Sequence, residues 1–63
     1  MKLNIELIDS RLKELEWSRY RLAKEIGITP NTLYSNLEKG SFRTVKTLSE
    51  ILGLLETDLV IKG

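Results

Sequence analysis

The chain has 63 residues, with ten basic and nine acidic side chains and neither cysteine nor histidine. This length allows one small domain, whose apolar core gives only marginal stability to a single chain. Oligomerisation is the usual way for such a chain to bury more apolar surface. The missing residue types exclude a disulfide framework and an ordinary zinc site. No apolar run approaches the roughly 20 residues of a membrane-spanning helix, and the N-terminus is unlike a signal peptide, so we expect a cytoplasmic protein.

The N-terminal segment predicts a short extended stretch followed by a helix. Residues 1–3 begin an alternation of apolar and polar side chains, which permits a strand. Asn4 can cap a helix over residues 5–15. One apolar face of that helix contains Ile5, Ile8, Leu12 and Leu15. Trp17 follows, and we expect it to pack between the first and second helices rather than to stack on bases.

The segment from Ser18 to Gly40 predicts two short helices joined by a tight turn. The Ser18 hydroxyl can cap the first of them, which we place at about residues 18–26. Gly27 follows at a site where helices end in a left-handed residue, a conformation that glycine adopts without steric cost. The inward-facing residues of this helix are Leu22, Ala23 and Ile26.

The second helix of the pair begins directly after the turn, at about residues 30–39. Thr29 is suited to its N-cap and Pro30 to its first position, where the missing N–H is harmless. Leu33 and Leu37 define its inner face, so the opposite face is short and polar.

The residues after Gly40 predict an exit loop and a fourth helix. The loop comprises residues 41–43, with Phe42 packed into the core, and Thr44 caps the helix that follows. Gly53 costs about 1 kcal/mol in a helix interior, so the helix either includes it or ends there. The expected inner face consists of Val45, Leu48, Ile51, Leu52 and Leu55.

Residues 57–62 are rich in β-branched and apolar side chains, which predicts a C-terminal strand. A lone strand cannot satisfy its own backbone, so it pairs either with residues 1–3 or with the same strand of a second chain. A two-fold axis would remove the open edge, and the predicted dimer interface then contains Leu59, Val60 and Ile61.

The stretch AKEIGITPNTL, from Ala23 to Leu33, resembles the core of the phage Cro and repressor (Xre-like) DNA-binding domains. These domains have alanine in the first helix of the motif, glycine in the turn, and an apolar residue five positions after Ile28. This chain departs from the pattern at Asn36, where the family has its next apolar residue, and Leu37 follows. The recognition helix or its exit loop is therefore expected to be one residue longer.

The resemblance implies a compact all-α domain of four to five helices over residues 1–63, with a short terminal β-strand element. It implies sequence-specific binding of double-stranded DNA in the major groove, most simply by a homodimeric transcriptional repressor on a palindromic operator. The spacing of the C-terminal strand resembles that of antitoxins from kinase-type persistence pairs, so a toxin or an anti-repressor protein is a further partner class. A protein-interaction module without DNA is the third hypothesis.

The charge distribution favours a polyanionic partner. Residues 11–46 contain eight basic and four acidic side chains, a net charge of +4, whereas the two flanks together contain two basic and five acidic ones, a net charge of −3. The basic excess thus coincides with the helix-turn-helix segment.

The residues expected to contact DNA lie on and beside the recognition helix. Its outward face presents hydrogen-bonding groups that can read base edges, and the predicted base contacts are Asn31, Thr32 and Ser35. The predicted phosphate contacts are Arg19, Lys39, Ser41 and Arg43, of which Arg19 stands where the family usually has glutamine. Arg21 and Lys24 are weaker candidates. We expect neither enzyme activity nor a cofactor, because no serine has a plausible base beside it and no glycine-rich phosphate loop is present.

Overall fold

The computed structural model describes residues 2–61, which form five helices and one two-stranded antiparallel sheet. The helices are α1 (Ile5–Leu15), α2 (Arg19–Ile26), α3 (Pro30–Lys39), α4 (Phe42–Leu52) and α5 (Glu56–Leu59), and the strands are β1 (Lys2–Leu3) and β2 (Val60–Ile61). The predicted class, a small all-α domain with a terminal β element, is confirmed. None of the helices within residues 2–61 is long and apolar enough to cross a membrane.

Each of the first four helices begins at a short polar side chain that accepts a backbone N–H three residues later. The capping pairs are Asn4 with Leu7, Ser18 with Arg21, Thr29 with Thr32, and Ser41 with Thr44. Such a cap satisfies one of the N–H groups that the first helical turn leaves without a partner. The first three caps are the ones that the sequence predicts.

The start of α4 differs from the prediction. Ser41, not Thr44, is the cap, so α4 begins two residues after Gly40 and the expected exit loop over residues 41–43 does not exist. Phe42 consequently lies in the first helical turn, and it is 83% exposed rather than packed into the core. The physical reason is the Ser41 hydroxyl, which accepts the Thr44 N–H at 3.2 Å and starts the helix one turn early.

The end of α4 settles the two alternatives for Gly53. This glycine has φ 69° and ends the helix in the left-handed region. Leu55 therefore lies outside α4, and it is exposed instead of forming part of the inner face. Arg11 of α1 closes the same end, because its Nε donates a 2.8 Å hydrogen bond to the Leu52 carbonyl.

The core is a single cluster of apolar side chains that come from β1 and from each of the five helices. Its buried members are Leu3, Ile8, Leu12, Leu22, Ala23, Leu33, Leu37, Val45, Leu48, Leu52 and Leu59. Trp17 is partly buried and packs against this cluster, as predicted. Tyr20 and Tyr34 are both exposed, so neither ring is part of this core.

The C-terminal segment is a single helical turn followed by a two-residue strand. Residues 57–59 belong to α5, so the predicted strand is correct only at Val60 and Ile61, and residue 62 lies outside the described residues. One turn of helix directs the Leu59 side chain fully into the core.

The strand pairs within the chain. Lys2 lies opposite Ile61 and Leu3 opposite Val60 in an antiparallel register. The Asn4 N–H extends this pairing with a 2.7 Å hydrogen bond to the Leu59 carbonyl. Leu59 is thus enclosed by its own chain and is not available to a dimer interface, whereas a contribution from Val60 and Ile61 stays a prediction.

Candidate functional site

The turn between α2 and α3 fixes the two helices relative to each other. Gly27 has φ 90°, and its N–H donates to the carbonyls of Ala23 and Lys24. The Ile28 N–H also donates to Ala23, at 3.0 Å. Together these bonds close the end of α2 in a Schellman motif, and only three residues separate α2 from α3. Ala23 of α2 is buried, and we predict that its small side chain lets α3 cross close to it.

The outward face of α3 is polar and uncovered. Asn31, Thr32 and Lys39 are exposed, and Ser35 is partly buried. Within residues 2–61, no hydrogen bond or ion pair engages the side chains of Asn31, Ser35 or Lys39. Thr32 differs, because its hydroxyl lies 2.8 Å from the hydroxyl of the capping Thr29. The face therefore keeps most of its hydrogen-bonding capacity for another molecule.

Arg19, at the start of α2, is held by residues of two other helices. Its Nε and Nη2 donate to the two carboxylate oxygens of Asp9 on α1, at 3.1 and 2.8 Å. Its guanidinium lies over the ring of Tyr34 on α3, 5.4 Å from the centroid. The hydrogen bonds with Asp9 raise the pKa of Arg19 above its ordinary value. This predicted phosphate contact is also a junction between α1, α2 and α3.

A groove of about 390 Å³ separates α3 from the first two turns of α4. It brings together two predicted phosphate contacts, Ser41 and Arg43, with Asn36 of α3. Its lining residues are Ile26, Ile28, Leu33, Asn36, Ser41, Arg43, Thr44 and Thr47. Arg43 is exposed and forms no ion pair among the residues that the structure describes. Ser41 is less available, since its oxygen is the cap of α4 and lies 3.0 Å from the Thr44 hydroxyl.

The two arginines lie on opposite sides of α3. Arg19 contacts Tyr34, whereas Arg43 shares the groove with Asn36. Residues two apart in a helix point about 160° away from each other, so Tyr34 and Asn36 mark the two flanks of α3. Ser35 lies between these flanks on the outward side. The arrangement is a polar helix face with a cationic side chain on each side of it.

The other basic residues of α2 are placed less favourably. Arg21 forms an ion pair with Glu25, at 2.9 Å, and its guanidinium lies 5.2 Å from the centre of the Trp17 ring. Since Arg21 is two residues from Arg19, it points away from the Tyr34 side of α2. Lys24 is exposed, and nothing places it beside α3.

Sequence reasoning did not identify Asp9 and Tyr34 as parts of this region. Asp9 is an exposed acidic residue on α1, and no local pattern distinguishes it from other surface carboxylates. Its role depends on how α1 and α2 pack, which brings residues ten positions apart into contact. Only the fold reveals that Arg19 contacts both Asp9 and Tyr34.

Comparison with known proteins gave no relative for this chain. No protein-family model, no curated protein and no solved structure matches it. The resemblance of residues 23–33 to Cro-like domains therefore stays a prediction, and the geometry described above is the ground for inferring what the molecule does.

Proposed function

We propose that the chain binds double-stranded DNA sequence-specifically, with α3 lying in the major groove. The observation that supports this best is the uncovered polar face of α3 between Arg19 and Arg43. The major groove is about 12 Å wide and admits one helix, and its two edges are phosphate backbones. A helix with hydrogen-bonding side chains outward and one arginine on each flank matches that target in shape and in charge.

The outward residues of α3 have distinct roles in this proposal. Asn31 lies in the first turn, the part of a recognition helix that reaches base edges, and its amide can pair with adenine through two hydrogen bonds. The Thr32 hydroxyl is already engaged with Thr29, so its methyl group is the part left to meet a thymine methyl. Ser35 reads donors or acceptors from the middle of the face.

The flanking residues supply attraction that is independent of sequence. Lys39 ends α3, and Arg43 lies in the first turn of α4, where the helix N-terminus also favours an anion. Arg19 approaches the opposite strand of the groove. Ser41 contributes mainly through the helix that it caps, because its oxygen already accepts the Thr44 N–H.

The wider biological role follows from the resemblance of residues 23–33 to the Cro and repressor domains. We propose a homodimer on a palindromic operator, acting as a transcriptional repressor, with the two recognition helices about 34 Å apart. Exposed Phe42 and Leu55 favour a second candidate, in which a protein partner such as a toxin or an anti-repressor also binds the domain.

A salt titration with a random duplex tests DNA binding in general. The plot of log K against log[salt] should be linear with a clearly negative slope, and Arg43→Ala should make that slope shallower by about 0.9. Lys2→Ala is the matched control, because Lys2 is an exposed cation on β1 and neither belongs to α1–α4 nor lines the groove. Absence of salt-dependent binding by the wild-type protein would overturn the proposal.

Selection of a preferred duplex from a random library tests sequence specificity. Asn31→Ala should weaken binding to the selected duplex by about 1–3 kcal/mol and relax the preference at one base pair. Binding of the same variant to random duplex should change little. Equal losses on both duplexes would assign Asn31 to a phosphate instead of a base.

A further inference from the structure

The contact between Asp9 and Arg19 lies at one edge of the proposed DNA-binding face. The carboxylate occupies the Nε–Nη2 edge of the guanidinium with two hydrogen bonds. Those bonds use two of the five N–H donors of an arginine, so the Nη1 group stays free to donate. Both side chains are partly exposed, which means that an anion can approach the pair from solvent.

We infer that Asp9, whose carboxylate accepts two hydrogen bonds from Arg19, limits the sequence-independent affinity for DNA through its negative charge. The inference rests on the proposed function. The carboxylate and the Tyr34 ring hold the guanidinium on one flank of α3, so its free N–H groups keep a defined place. A phosphate bound there also meets the Asp9 carboxylate, which is within 3.1 Å of the same guanidinium.

The charges of the pair decide the expected effect. Arg19 and Asp9 together have no net charge, so the pair as a whole adds little to the release of counterions from DNA. Removing the Asp9 charge should expose the full attraction of Arg19. Removing Arg19 alone should leave a carboxylate facing the phosphates. Removing both charges should restore a neutral pair, and with it a salt dependence close to that of the wild-type protein.

The chain contains a matched pair for comparison on the other side of α2. Arg21 also combines one carboxylate, Glu25, with one aromatic ring, Trp17, at similar distances. This pair points away from the Tyr34 side of α2. Glu25→Gln therefore removes the same charge from a similar contact without altering the proposed DNA-binding face.

The experiment measures binding of a random duplex at several salt concentrations. Asp9→Asn should steepen the slope of log K against log[salt] by about 0.9, so its gain over wild type is about 3.5-fold larger at 50 mM than at 200 mM salt. Arg19→Ala should make the slope shallower, and the double variant should return it to the wild-type value. Glu25→Gln should leave it unchanged.

The outcomes separate the inference from the proposed function. Salt-dependent wild-type binding with an unchanged slope for Asp9→Asn would overturn the inference and leave DNA binding in place. Weaker binding and a shallower slope for that variant would also overturn it, because Asp9 would then only support Arg19. No salt-dependent binding by the wild-type protein would overturn both. Asp9→Ser removes the same charge and must give the same slope of log K against log[salt] as Asp9→Asn. Thermal unfolding of both variants establishes that each is folded.

Discussion

The Leu59 side chain offers a direct test of how the C-terminal turn contributes to the fold. Leu59 is 0% exposed, and alanine would remove most of its side chain from a filled site. Leucine-to-alanine changes in cores cost about 2–5 kcal/mol. A domain of this size has only about 3–5 kcal/mol available from its core, so Leu59→Ala should remove most of the free energy of unfolding. The hydrogen bond from the Asn4 N–H uses the Leu59 carbonyl and survives the substitution, so the loss isolates side-chain burial.

Urea unfolding followed by circular dichroism measures this loss, and Ile61→Ala is the matched control. Ile61 is 39% exposed, so its truncation should cost less than about 1 kcal/mol in one chain. Both variants are unfolded at two protein concentrations that differ tenfold. A wild-type midpoint that rises over the same tenfold range, together with an Ile61→Ala midpoint that does not, would place Ile61 in a dimer interface. Equal stability of the two variants would refute the assignment of Leu59 to the core.

Three other substitutions test particular features by thermal unfolding. Ala23→Leu should destabilise the domain by about 1–3 kcal/mol, because the larger side chain would overfill a buried site, and an unchanged midpoint would show that the site has room for it. Gly27→Ala should cost about 1–2 kcal/mol from its left-handed backbone alone, since an added Cβ would meet nothing within 4 Å, and Gly27→Asn should cost less. Phe42→Ser should change stability by less than about 0.5 kcal/mol, and a loss above 2 kcal/mol would contradict its exposure.

The features that the sequence predicts correctly are set by residues close together in the chain. The Ser18 and Thr29 caps, the left-handed Gly27 and the bounds of α3 each depend on a few neighbouring side chains. Local hydrogen bonds and backbone preferences are strong enough to fix these elements before any tertiary contact is considered.

Two errors arose where local signals were ambiguous. Ser41 and Thr44 are both good capping residues, and choosing Thr44 led to a loop and a buried Phe42 that the structure does not contain. The β-branched Thr57, Val60 and Ile61 favoured a strand over the whole segment, but a single helical turn buries Leu59, and one turn is too short to show a helical period.

The candidate site likewise has a part that local sequence patterns predict and a part that only the packing of helices decides. The outward face of α3 follows from its inward leucines, so Asn31 and Ser35 could be assigned from helical spacing alone. The availability of Arg19 could not, because its partners Asp9 and Tyr34 come from two other helices. Helix packing, rather than any local motif, decides which cation beside α3 is free and which is paired.

The pairing of β1 with β2 brings the two ends of the described chain together. Residues opposite each other in an antiparallel pair have Cα atoms about 5 Å apart, so Lys2 and Ile61 are immediate neighbours. A short linker could join them, and a circularly permuted chain opened between α4 and α5 would keep α1 to α4 in their present order. Two copies fused end to end would be joined at their terminal sheets, so the linker length would limit how far apart their recognition helices can reach.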